Sequence, residues 1–513
     1  MDPLREAARS DPSGPAAVVA GRTAGGDRTF SWREVDALAD LAAFRLTQLG
    51  VGPGSLVATL LDPGLDAFVL LHALPRVGGT LVPLHPGWTE VEQVRALTLL
   101  AAGPGGGLAS AGAVSPLLVL APDAVGRAVG AKVPGAGFVD VEEVVGALPD
   151  PDAAAWRPSD PDLGPDTPVA LILTSGSTGL PRPVPLTHGN LMASARGAAH
   201  RLRLDPADRW LASLAVAHVG GLALLHRGAV VGSVTVFDGG GRFDPARFLE
   251  LAHRGEVTHA SLVPVMLQRL LDAGGKSEAP RGLRCVLLGG AATPAPLLDR
   301  ALAARWPVAL TWGMTEASSQ VATAPPDQLR RKPGSVGRPL PGLAVRVVRS
   351  DGGEAKVGEV GELLVSGPTV APLPAVEAAG GWLRTGDLGR FDVDGDLWIT
   401  GRASDRILSG AVTVEPGEVE AALLRHPEVR EAAVVGMPDP EWGEQVVAFV
   451  VPAHPAAPPE VADLVAHGRM HLASAKRPRV VHLVPALPRN ANGKVDRGTL
   501  RKVALSPGPD PAG

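Results

Sequence analysis

The sequence predicts an α/β fold in which parallel β-sheets are covered by helices. Short apolar strand-like segments alternate with helical segments, which is typical of parallel sheets buried on both faces. A chain of 513 residues with 45% apolar content can bury a large core and should divide into more than one domain. Two neighbouring predicted strands, residues 284–288 and 308–311, both end in glycine-containing loops. Ligands of open α/β sheets bind beyond the carboxyl ends of strands, so we expect function to concentrate there.

The amino-terminal elements follow this alternation. Ser31 and Glu34 form a capping box that should begin a helix over residues 31–49, and Gly50 should end it. A strand, a helix and a second strand are then predicted at residues 55–61, 65–74 and 79–84. Residues 101–165 are rich in Gly, Ala and Pro, and they carry no pattern that predicts a site.

The central elements repeat the pattern. Thr187 should cap a helix over residues 190–200, and Thr293 should cap a helix over residues 294–304 that has Pro294 at its first position. The other elements predicted here are strands at residues 169–173, 210–214, 230–237, 258–263, 284–288 and 308–311, and a helix at residues 265–271.

Charge and cysteine content exclude several classes of protein. The net charge is −5 and the isoelectric point is near 6.2, so no basic surface for nucleic acid or for an anionic membrane is indicated. The single cysteine, Cys285, rules out a disulfide framework and lies in an apolar run, which favours a buried structural thiol over a nucleophile. A small soluble substrate and a reducing compartment are therefore expected.

The amino terminus is polar and lacks the apolar core of a signal peptide. No apolar run approaches the roughly eighteen residues of a membrane span. We therefore expect a cytoplasmic protein without membrane insertion. A homo-oligomer is compatible with the sequence.

The loop after the predicted strand at residues 169–173 has the composition of a phosphate-binding loop. It contains Thr174, Ser175, Gly176, Ser177, Thr178 and Gly179. Glycines let the backbone approach a ligand closely, and four hydroxyls with successive backbone N–H groups can donate to phosphate oxygens. The loop does not match the Walker pattern. An ordinary flexible loop before the helix at residues 190–200 is the alternative.

Six segments occur in the order that is typical of one enzyme family. They are TSGSTGLPRPVPLTHGNL from Thr174, the turn Gly289-Gly290-Ala291, TWGMTE from Thr311, GWLRTGDLG from Gly381, GRASDRI from Gly401 and PRNANGKVDR from Pro488. Together they resemble the adenylate-forming superfamily of acyl-CoA ligases and AMP-binding enzymes. The resemblance runs from about residue 30 to residue 503.

This resemblance implies a two-domain organisation. A large adenylation domain should span residues 1–403, and a small mobile C-terminal α+β domain should span residues 404–505. In the family the small domain rotates about a hinge between two half-reactions. The elements predicted in it are helices at residues 417–424 and 461–472 and strands at residues 432–436 and 445–451. Residues 506–513 should form a disordered tail.

The resemblance also implies the chemistry. A carboxylic acid attacks the α-phosphate of ATP, pyrophosphate leaves, and the acyl-adenylate then reacts with coenzyme A. Lys494 should bridge the attacking carboxylate and the α-phosphate, Thr315 should bond the α-phosphate, and Glu316 should hold Mg²⁺. The alternatives are a solvated lysine in an exposed turn and a carboxylate at a helix start.

The remaining nucleotide contacts are assigned by the same resemblance. The residues expected to bind ATP, besides residues 174–179, are Arg182, Gly289, Gly290, Ala291, Trp312, Gly313, Met314, Asp387 and Arg402. Trp312 stands where the family has a tyrosine that stacks on adenine, and a buried core tryptophan is the alternative. Asp387 should accept from both ribose hydroxyls, with Arg402 helping from the other side.

Within the superfamily, three segments most resemble the o-succinylbenzoate–CoA ligases of menaquinone biosynthesis. They are TWGMTEASSQVAT, SLVPVMLQRLL from Ser261 and AHVGGLALLHR from Ala217. Relatives that activate amino acids carry an aspartate just after the position of His218, where it holds the amino group. This chain has no aspartate there, so the resemblance argues against a substrate with an α-amine. His218, Ser261 and Arg227 are expected to bind the acid, with Arg227 pairing with the carboxylate that is not activated. An exposed helix arginine is the alternative for Arg227.

Three departures from the family pattern leave other functions open. Arg182 and Pro183 replace a lysine and a glycine, residues 410–413 depart from the usual loop, and the hinge position is Ser404. The expected function is an acid–CoA ligase. An enzyme that loads a carrier protein, or another aryl or fatty acyl ligase, is a second hypothesis, and a non-catalytic nucleotide-binding relative is a third.

Overall fold

The computed structural model describes residues 1–21, 26–102, 117–122, 132–133, 136–146, 163–175, 181–240, 243–275, 278–409, 412–440, 442–490 and 494–505. Several predicted features lie outside this part of the chain. They are Gly176, Ser177, Thr178 and Gly179 with the side chain of Ser175, residues 410–411 of the altered loop, and the tail at residues 506–513.

The helices of the described residues are α1 (Pro3–Ser10), α2 (Trp32–Gln48), α3 (Leu65–Arg76), α4 (Glu90–Ala101), α5 (Val141–Val145), α6 (His188–Leu202), α7 (Val219–Val231), α8 (Pro245–His253), α9 (Pro264–Gly274), α10 (Ala295–Ala303), α11 (Pro326–Arg331), α12 (Pro374–Ala378), α13 (Pro416–Leu423), α14 (Val461–His471) and α15 (Arg497–Leu505). No helix in this part of the chain combines the length and the apolar character that a bilayer crossing requires.

The strands are β1 (Pro15–Val19), β2 (Arg28–Ser31), β3 (Leu56–Thr59), β4 (Thr80–Pro83), β5 (Leu117–Ala121), β6 (Ala136–Asp140), β7 (Pro168–Ser175), β8 (Pro181–Thr187), β9 (Arg209–Leu211), β10 (Val234–Phe237), β11 (His259–Leu262), β12 (Cys285–Leu288), β13 (Val308–Met314), β14 (Ser319–Ala324), β15 (Arg338–Pro339), β16 (Ala344–Val348), β17 (Gly361–Ser366), β18 (Leu383–Phe391), β19 (Leu397–Arg402), β20 (Ile407–Ser409), β21 (Val412–Val414), β22 (Val429–Asp439), β23 (Gly443–Pro452) and β24 (Val480–Leu483).

Two large sheets with parallel centres confirm the predicted α/β class. One has the strand order β15-β14-β13-β12-β11-β9-β10-β1-β2, and the other has the order β6-β5-β3-β4-β7-β8. The central pairs of both sheets are parallel, whereas the outer pairs β1–β2, β13–β14, β14–β15 and β7–β8 are antiparallel. A four-stranded antiparallel sheet, β16 to β19, follows.

Two helices occupy the space between the large sheets. Helix α3 packs against β4 and β7, helix α7 packs against β10 and β14, and the two helices contact each other. Every residue of α3 from Ala67 to Arg76, and every residue of α7 from Gly221 to Ala229, is buried. A helix that is covered on all sides belongs to a core. The side chains of α7 therefore face protein rather than solvent.

The C-terminal residues form a separate body. Strands β20 to β24 make a five-stranded sheet, and α13, α14 and α15 accompany it. One face buries a cluster around Val434 and Ala448, and the other buries a cluster around Val435 and Phe449. Neither cluster shares a residue with the cores of the large sheets. This confirms a small α+β C-terminal domain.

Helix starts test the capping predictions. Ser31 and Glu34 form both bonds of the predicted capping box, and Thr187 caps α6 with Asn190 in the reciprocal position. The prediction for Thr293 is wrong, because Pro294 is the N-cap residue of α10 and no side chain caps that helix. The fixed φ of proline allows the extended ψ of 135° at this position.

The segment after the phosphate-loop candidate differs from the prediction of a loop followed directly by a helix. Residues Pro181–Thr187 form β8, which pairs antiparallel with β7. The three prolines at positions 181, 183 and 185 argued against a strand. They are tolerated because β8 is the edge strand of its sheet, where an N–H group is not needed on the outer side.

Buried histidines make the core sensitive to acid. His226 of α7 stacks on His72 and contacts His188 edge-on, and neither of its ring nitrogens has a partner in the described residues. Burial, reinforced by these two histidines, lowers the pKa of His226 well below its usual range. Burial also lowers the pKa of His259 to about 3. Both rings are therefore neutral in the folded protein near pH 7.

We expect stability to fall as the pH drops below about 6.5, the ordinary histidine pKa. Below that pH, His226 and His259 bind protons in the unfolded chain but stay neutral in the folded protein. The free energy of unfolding therefore keeps falling until the pH reaches the pKa values of the two histidines in the folded protein. The free energy of unfolding should be about 2 kcal/mol lower at pH 5.5 than at pH 7, from urea titrations. In His226→Gln the free energy of unfolding should depend less steeply on pH. A free energy of unfolding that is higher at pH 5.5 than at pH 7 would contradict the prediction.

Candidate active site

The carboxyl ends of β12 and β13 form the edge at which most predicted site residues lie. Strand β12 runs into Gly289, Gly290 and Ala291, and β13 carries Trp312, Gly313 and Met314. Gly290 has a φ of +78°, which favours glycine. A Cβ on Gly313 would lie 1.8 Å from the carbonyl oxygen of Ser319, so only glycine fits.

Thr315 and Glu316 begin a short 3₁₀ turn directly after β13. The next residues, Ser318 and Ser319, have φ angles of +54° and +106°, a conformation that non-glycine residues rarely adopt. Two buried hydrogen bonds hold Ser318: its hydroxyl donates to Thr369 O at 2.7 Å, and its carbonyl accepts from Ser194 Oγ at 2.6 Å. Local strain of this kind persists only where the surroundings impose it, and it often marks functional sites.

The Glu316 carboxylate is half-buried and makes no hydrogen bond or ion pair with the rest of the described chain. Its backbone carbonyl accepts from Ala371 N at 2.8 Å, which fixes the turn. No group of three or more His, Cys, Asp or Glu side chains in the described ranges could hold a metal ion. A single free carboxylate suits Mg²⁺, which is commonly held by one or two carboxylates together with phosphate oxygens.

Asp387 joins three strands at this edge. One carboxylate oxygen accepts from the Trp312 indole N–H at 2.8 Å, and the other lies 2.7 Å from Arg402 Nε. Asp387 and Arg402 face each other across the β18–β19 pair. Asp387 and Trp312 are buried, whereas the Arg402 side chain is 54% exposed. Trp312 is therefore both part of the core and part of the site.

Lys494 reaches this cluster from the C-terminal domain. Its backbone N–H donates to Asn490 Oδ1 at 3.1 Å, and its carbonyl accepts from Asn490 N at 2.9 Å, so Asn490 holds the backbone of Lys494 on both sides. Although the residue keeps contact with solvent, the surrounding protein and the charge of Arg402 lower the pKa of its ammonium, and Asp387 and Glu316 oppose that shift. The charges of Arg402, Asp387 and Glu316 therefore all act on the Lys494 ammonium.

His218 and His85 form a neutral pair whose rings are in contact. Their ring centroids are 5.2 Å apart. Burial, together with His85 and Lys494, lowers the pKa of His218 to about 4. The sequence reasoning missed His85, which follows the end of β4 and accepts from Gly87 N at 3.0 Å. Its position just after a parallel strand is the signal that could have indicated it.

Thr174 and Arg182 lie at the end of the β7–β8 pair where the chain passes from β7 to β8. They are register partners, and the Thr174 hydroxyl donates to Arg182 O at 3.1 Å. Arg182 is exposed. Both residues therefore border the stretch that contains the other predicted phosphate-loop residues.

Arg227 does not lie on the surface, so the alternative of an exposed helix arginine is wrong. It is 4% exposed, and its guanidinium carbon is 4.0 Å from the centroid of the Trp210 ring. It forms no hydrogen bond or ion pair with the residues that the structure describes. Burial lowers its pKa to about 10, so the group stays charged at neutral pH.

Ser261 lies near Arg227 but its hydroxyl already has a partner. Ser261 Oγ accepts from the Trp210 indole N–H at 3.2 Å. The residue is 4% exposed and lies two positions beyond His259 on β11, on the same face of the sheet. A direct contact from Ser261 to a substrate is therefore not what its surroundings favour.

A separate cavity of about 1080 Å³ lies between α1, α6 and the end of α7. None of the predicted site residues lines it. This cavity is therefore distinct from the cluster around Asp387 and Trp312.

Comparisons with known proteins agree with this geometry. Family models of the AMP-binding enzyme and of the AMP-binding enzyme C-terminal domain match residues 4–373 and 418–494. A 2-succinylbenzoate–CoA ligase of Geobacillus kaustophilus (strain HTA426) is 37% identical over 486 residues, which cover 93% of this chain and 94% of that protein.

Solved structures give the same result. An o-succinylbenzoate coenzyme A synthetase from Bacillus subtilis, in complex with its acyl-adenylate intermediate, matches with a TM-score of 0.84 and 31% identity over 98% of both chains. The same enzyme in complex with ATP and a magnesium ion matches with a TM-score of 0.82 and 30% identity, again over 98% of both chains. With a family model over most of its length and relatives over nearly all of it, this chain belongs to the AMP-binding enzyme family.

Proposed function

We propose that this chain is an AMP-forming acid–CoA ligase that converts o-succinylbenzoate into its CoA thioester in menaquinone biosynthesis. The observation that carries the choice of substrate is Arg227, a buried guanidinium without a carboxylate partner in the described part of the chain. A buried charge without a partner is costly, so an anionic ligand is the natural complement. The relatives that are named for this acid support the same choice.

The site residues take the following roles. Asp387 and Arg402 hold the ribose, and Trp312 and the Gly289-Gly290-Ala291 turn surround the base, with Gly313 and Met314 lining the same strand end. Thr174, Arg182 and the loop between them bind the outer phosphates. The free Glu316 carboxylate would hold Mg²⁺, and the bound ion would neutralise phosphate charge.

Lys494 and Thr315 act on the reacting centre. Negative charge accumulates on the α-phosphoryl group while the substrate carboxylate attacks it. The Lys494 ammonium, whose backbone is bonded to Asn490, neutralises this charge, and the Thr315 hydroxyl donates to the same group. Because His85 and His218 are neutral, they add no cation that would compete with Lys494 for the carboxylate.

Helix α7 links the reacting end of the substrate to the other end. His218 is the N-cap residue of α7, and Arg227 follows nine residues later, about 13 Å along the axis at 1.5 Å per residue. The acid contains a second carboxylate on its ring, which stays charged in the pocket. A planar guanidinium binds a carboxylate through two parallel hydrogen bonds. Arg227 is therefore the residue that distinguishes this dicarboxylate from monocarboxylic acids.

Trp312→Phe tests the nucleotide role. The variant keeps an aromatic face but removes the indole N–H bond to the Asp387 carboxylate, and a bond to a charged group contributes about 1.5–3 kcal/mol. The KM for ATP should rise about tenfold while kcat changes little, in steady-state assays. Trp398→Phe is the matched control, because its indole N–H donates to Asp392 at 3.0 Å outside the site. Equal effects of the two variants would contradict the role of Trp312.

We further propose that the large domain ends near residue 403 and that Ser404 is the hinge for rotation of the C-terminal domain. Ser404 lies in a short 3₁₀ turn, Ala403–Asp405, between the last strand of the large domain and the first strand of the small one. Separate cores on the two sides support a boundary there.

Ser404→Pro should restrict that rotation, because proline fixes φ near −65°. Adenylate formation should persist while transfer to CoA falls. Pyrophosphate release in a single turnover measures the first half-reaction, and the yield of thioester measures the second. Ser350→Pro, in an exposed turn of the large domain, is a control for a general effect of proline. Unchanged overall turnover in Ser404→Pro would place the hinge elsewhere.

Omitting one component at a time tests the proposed reaction. Pyrophosphate release should need ATP, Mg²⁺ and the acid, and thioester formation should need free CoA in addition. Release of pyrophosphate without any thioester would favour an enzyme that loads a carrier protein. Failure to release pyrophosphate with any acid of an aromatic and aliphatic panel would favour a non-catalytic relative.

We also propose that the protein acts in the cytoplasm and can form a homo-oligomer. ATP and CoA are the co-substrates of the proposed reaction, which favours the cytoplasm as the compartment. A homo-oligomer is compatible with the fold, and sedimentation of the purified protein measures it.

A further inference from the structure

Four buried side chains form a row beneath α7. Strand register places Thr235, Trp210, His259 and Cys285 side by side on neighbouring parallel strands. Register partners in parallel strands point to the same face, and α7 covers this face because the Arg227 guanidinium lies over Trp210. The row is polar and aromatic in a region where a core is normally aliphatic.

Trp210 is held on two sides within this row. Its ring stacks on the His259 imidazole, with centroids 5.0 Å apart and planes inclined by 28°. Its indole N–H donates to Ser261 Oγ, and the Ser261 carbonyl in turn accepts from the Ser213 hydroxyl. These contacts fix the plane of the indole.

The indole face explains how Arg227 stays charged without an acid beside it. An aromatic face attracts a cation, and the attraction grows when water is excluded. The guanidinium carbon lies over this face, 4.0 Å from the ring centroid, and the N–H donors of a guanidinium lie along its edge. None of these donors has an acceptor in the described residues. An Asp or Glu partner would instead occupy the donors that a ligand needs.

We propose that Trp210, oriented by Ser261 and His259, is a positioning residue that holds Arg227 charged and pre-oriented for the second carboxylate of the substrate. This inference rests on the proposed dicarboxylate substrate and adds the residues that create the specificity. Ser261 then acts through Trp210 rather than on the substrate.

The test compares o-succinylbenzoate with 3-benzoylpropionate, which has the same chain and ring but lacks the ring carboxylate. The readout is the ratio of kcat/KM for the two acids. Trp210→Leu should lower this ratio about 5- to 30-fold, the range of a desolvated cation–π contact, through the KM of o-succinylbenzoate. Kinetic constants for 3-benzoylpropionate and for ATP should change by less than about threefold, within the scatter of non-specific effects.

Three further variants separate positioning from structure. Trp210→Phe keeps an aromatic face and should retain most of the ratio, and Ser261→Ala should lower it by a smaller factor. Trp306→Leu removes a buried tryptophan that stacks on Phe248 away from Arg227, and it should leave the ratio unchanged. In an Arg227→Met background, Trp210→Leu should have no further effect on the ratio, because residues in contact are not additive.

The outcomes are distinguishable. A wild type that does not prefer o-succinylbenzoate refutes the proposed substrate. A wild type that prefers it, with the full ratio retained in Trp210→Leu, refutes only the role of Trp210. Equal losses for both acids, or an effect of Trp210→Leu that persists without Arg227, show a general structural role and overturn the inference. If Trp210→Leu does not fold, the test uses Trp210→Phe and Ser261→Ala instead. In that case the inference is overturned if the ratio of kcat/KM is unchanged in Ser261→Ala and lowered in Trp306→Leu.

Discussion

Lys494→Ala should lower the rate of adenylate formation by about 10²–10³ while leaving thioester formation from supplied acyl-adenylate largely intact. The size follows from the loss of one preorganised donor at a charge that develops in the transition state. The selectivity follows from the location of Lys494 on the C-terminal domain, where the charges of Glu316 and Asp387 act on its ammonium. Rapid-quench assays of the two half-reactions measure both rates.

A matched lysine controls for the loss of charge on the same domain. Lys476 pairs with Glu418 away from the site, so Lys476→Ala should leave both half-reactions near the wild-type rates. If Lys494→Ala slowed the two half-reactions equally, the proposed rotation of Lys494 out of the site would be wrong. If it slowed neither, the lysine would be a surface residue.

Arg227→Ala should raise the KM for o-succinylbenzoate about 30- to 5,000-fold, which corresponds to roughly 2–5 kcal/mol for stranding a buried carboxylate. The guanidinium is buried and stacked, so water replaces it poorly. The KM for ATP should change little, because Arg227 lies on α7 over Trp210 rather than at the nucleotide. Steady-state kinetics with each substrate varied in turn measure both constants.

Two further variants test whether the change in KM is specific to the guanidinium of Arg227. Arg227→Lys keeps the charge but loses the planar pair of donors, so it should fall between the wild type and Arg227→Ala. Arg201→Ala removes another partly buried arginine, which donates to Pro339 O at 2.6 Å and lies outside the site. Arg201→Ala should leave the KM for the acid unchanged. A normal KM in Arg227→Ala would remove Arg227 from the pocket.

Local signals in the sequence predicted what depends on local physics. The capping box at Ser31 and the cap at Thr187 need only residues three positions apart, and both formed. The alternation of strands and helices in the sequence predicted parallel sheets, and the structure has two sheets with parallel centres. Residues at the ends of β12 and β13 could be predicted to share an edge, since the carboxyl ends of parallel strands meet there.

Features that depend on long-range packing could not be predicted. Strand β8 is compatible with its prolines only because it lies at a sheet edge. Trp210 carries no motif, and its contact with Arg227 joins residues 17 positions apart through the packing of a helix on a sheet. His85 and His218 are 133 positions apart, and only the fold brings their rings together. Tertiary contacts of this kind override local propensity.

A competition assay tests the central claim most directly. Purified enzyme is given equal concentrations of o-succinylbenzoate and 3-benzoylpropionate, with ATP, Mg²⁺ and limiting CoA, and the two thioesters are quantified by mass spectrometry. The product ratio equals the ratio of kcat/KM values. We predict that the thioester of o-succinylbenzoate exceeds the other by at least about 30-fold, the lower bound for an unpaired Arg227. Equal amounts, or an excess of the monocarboxylate thioester, would contradict the proposed substrate.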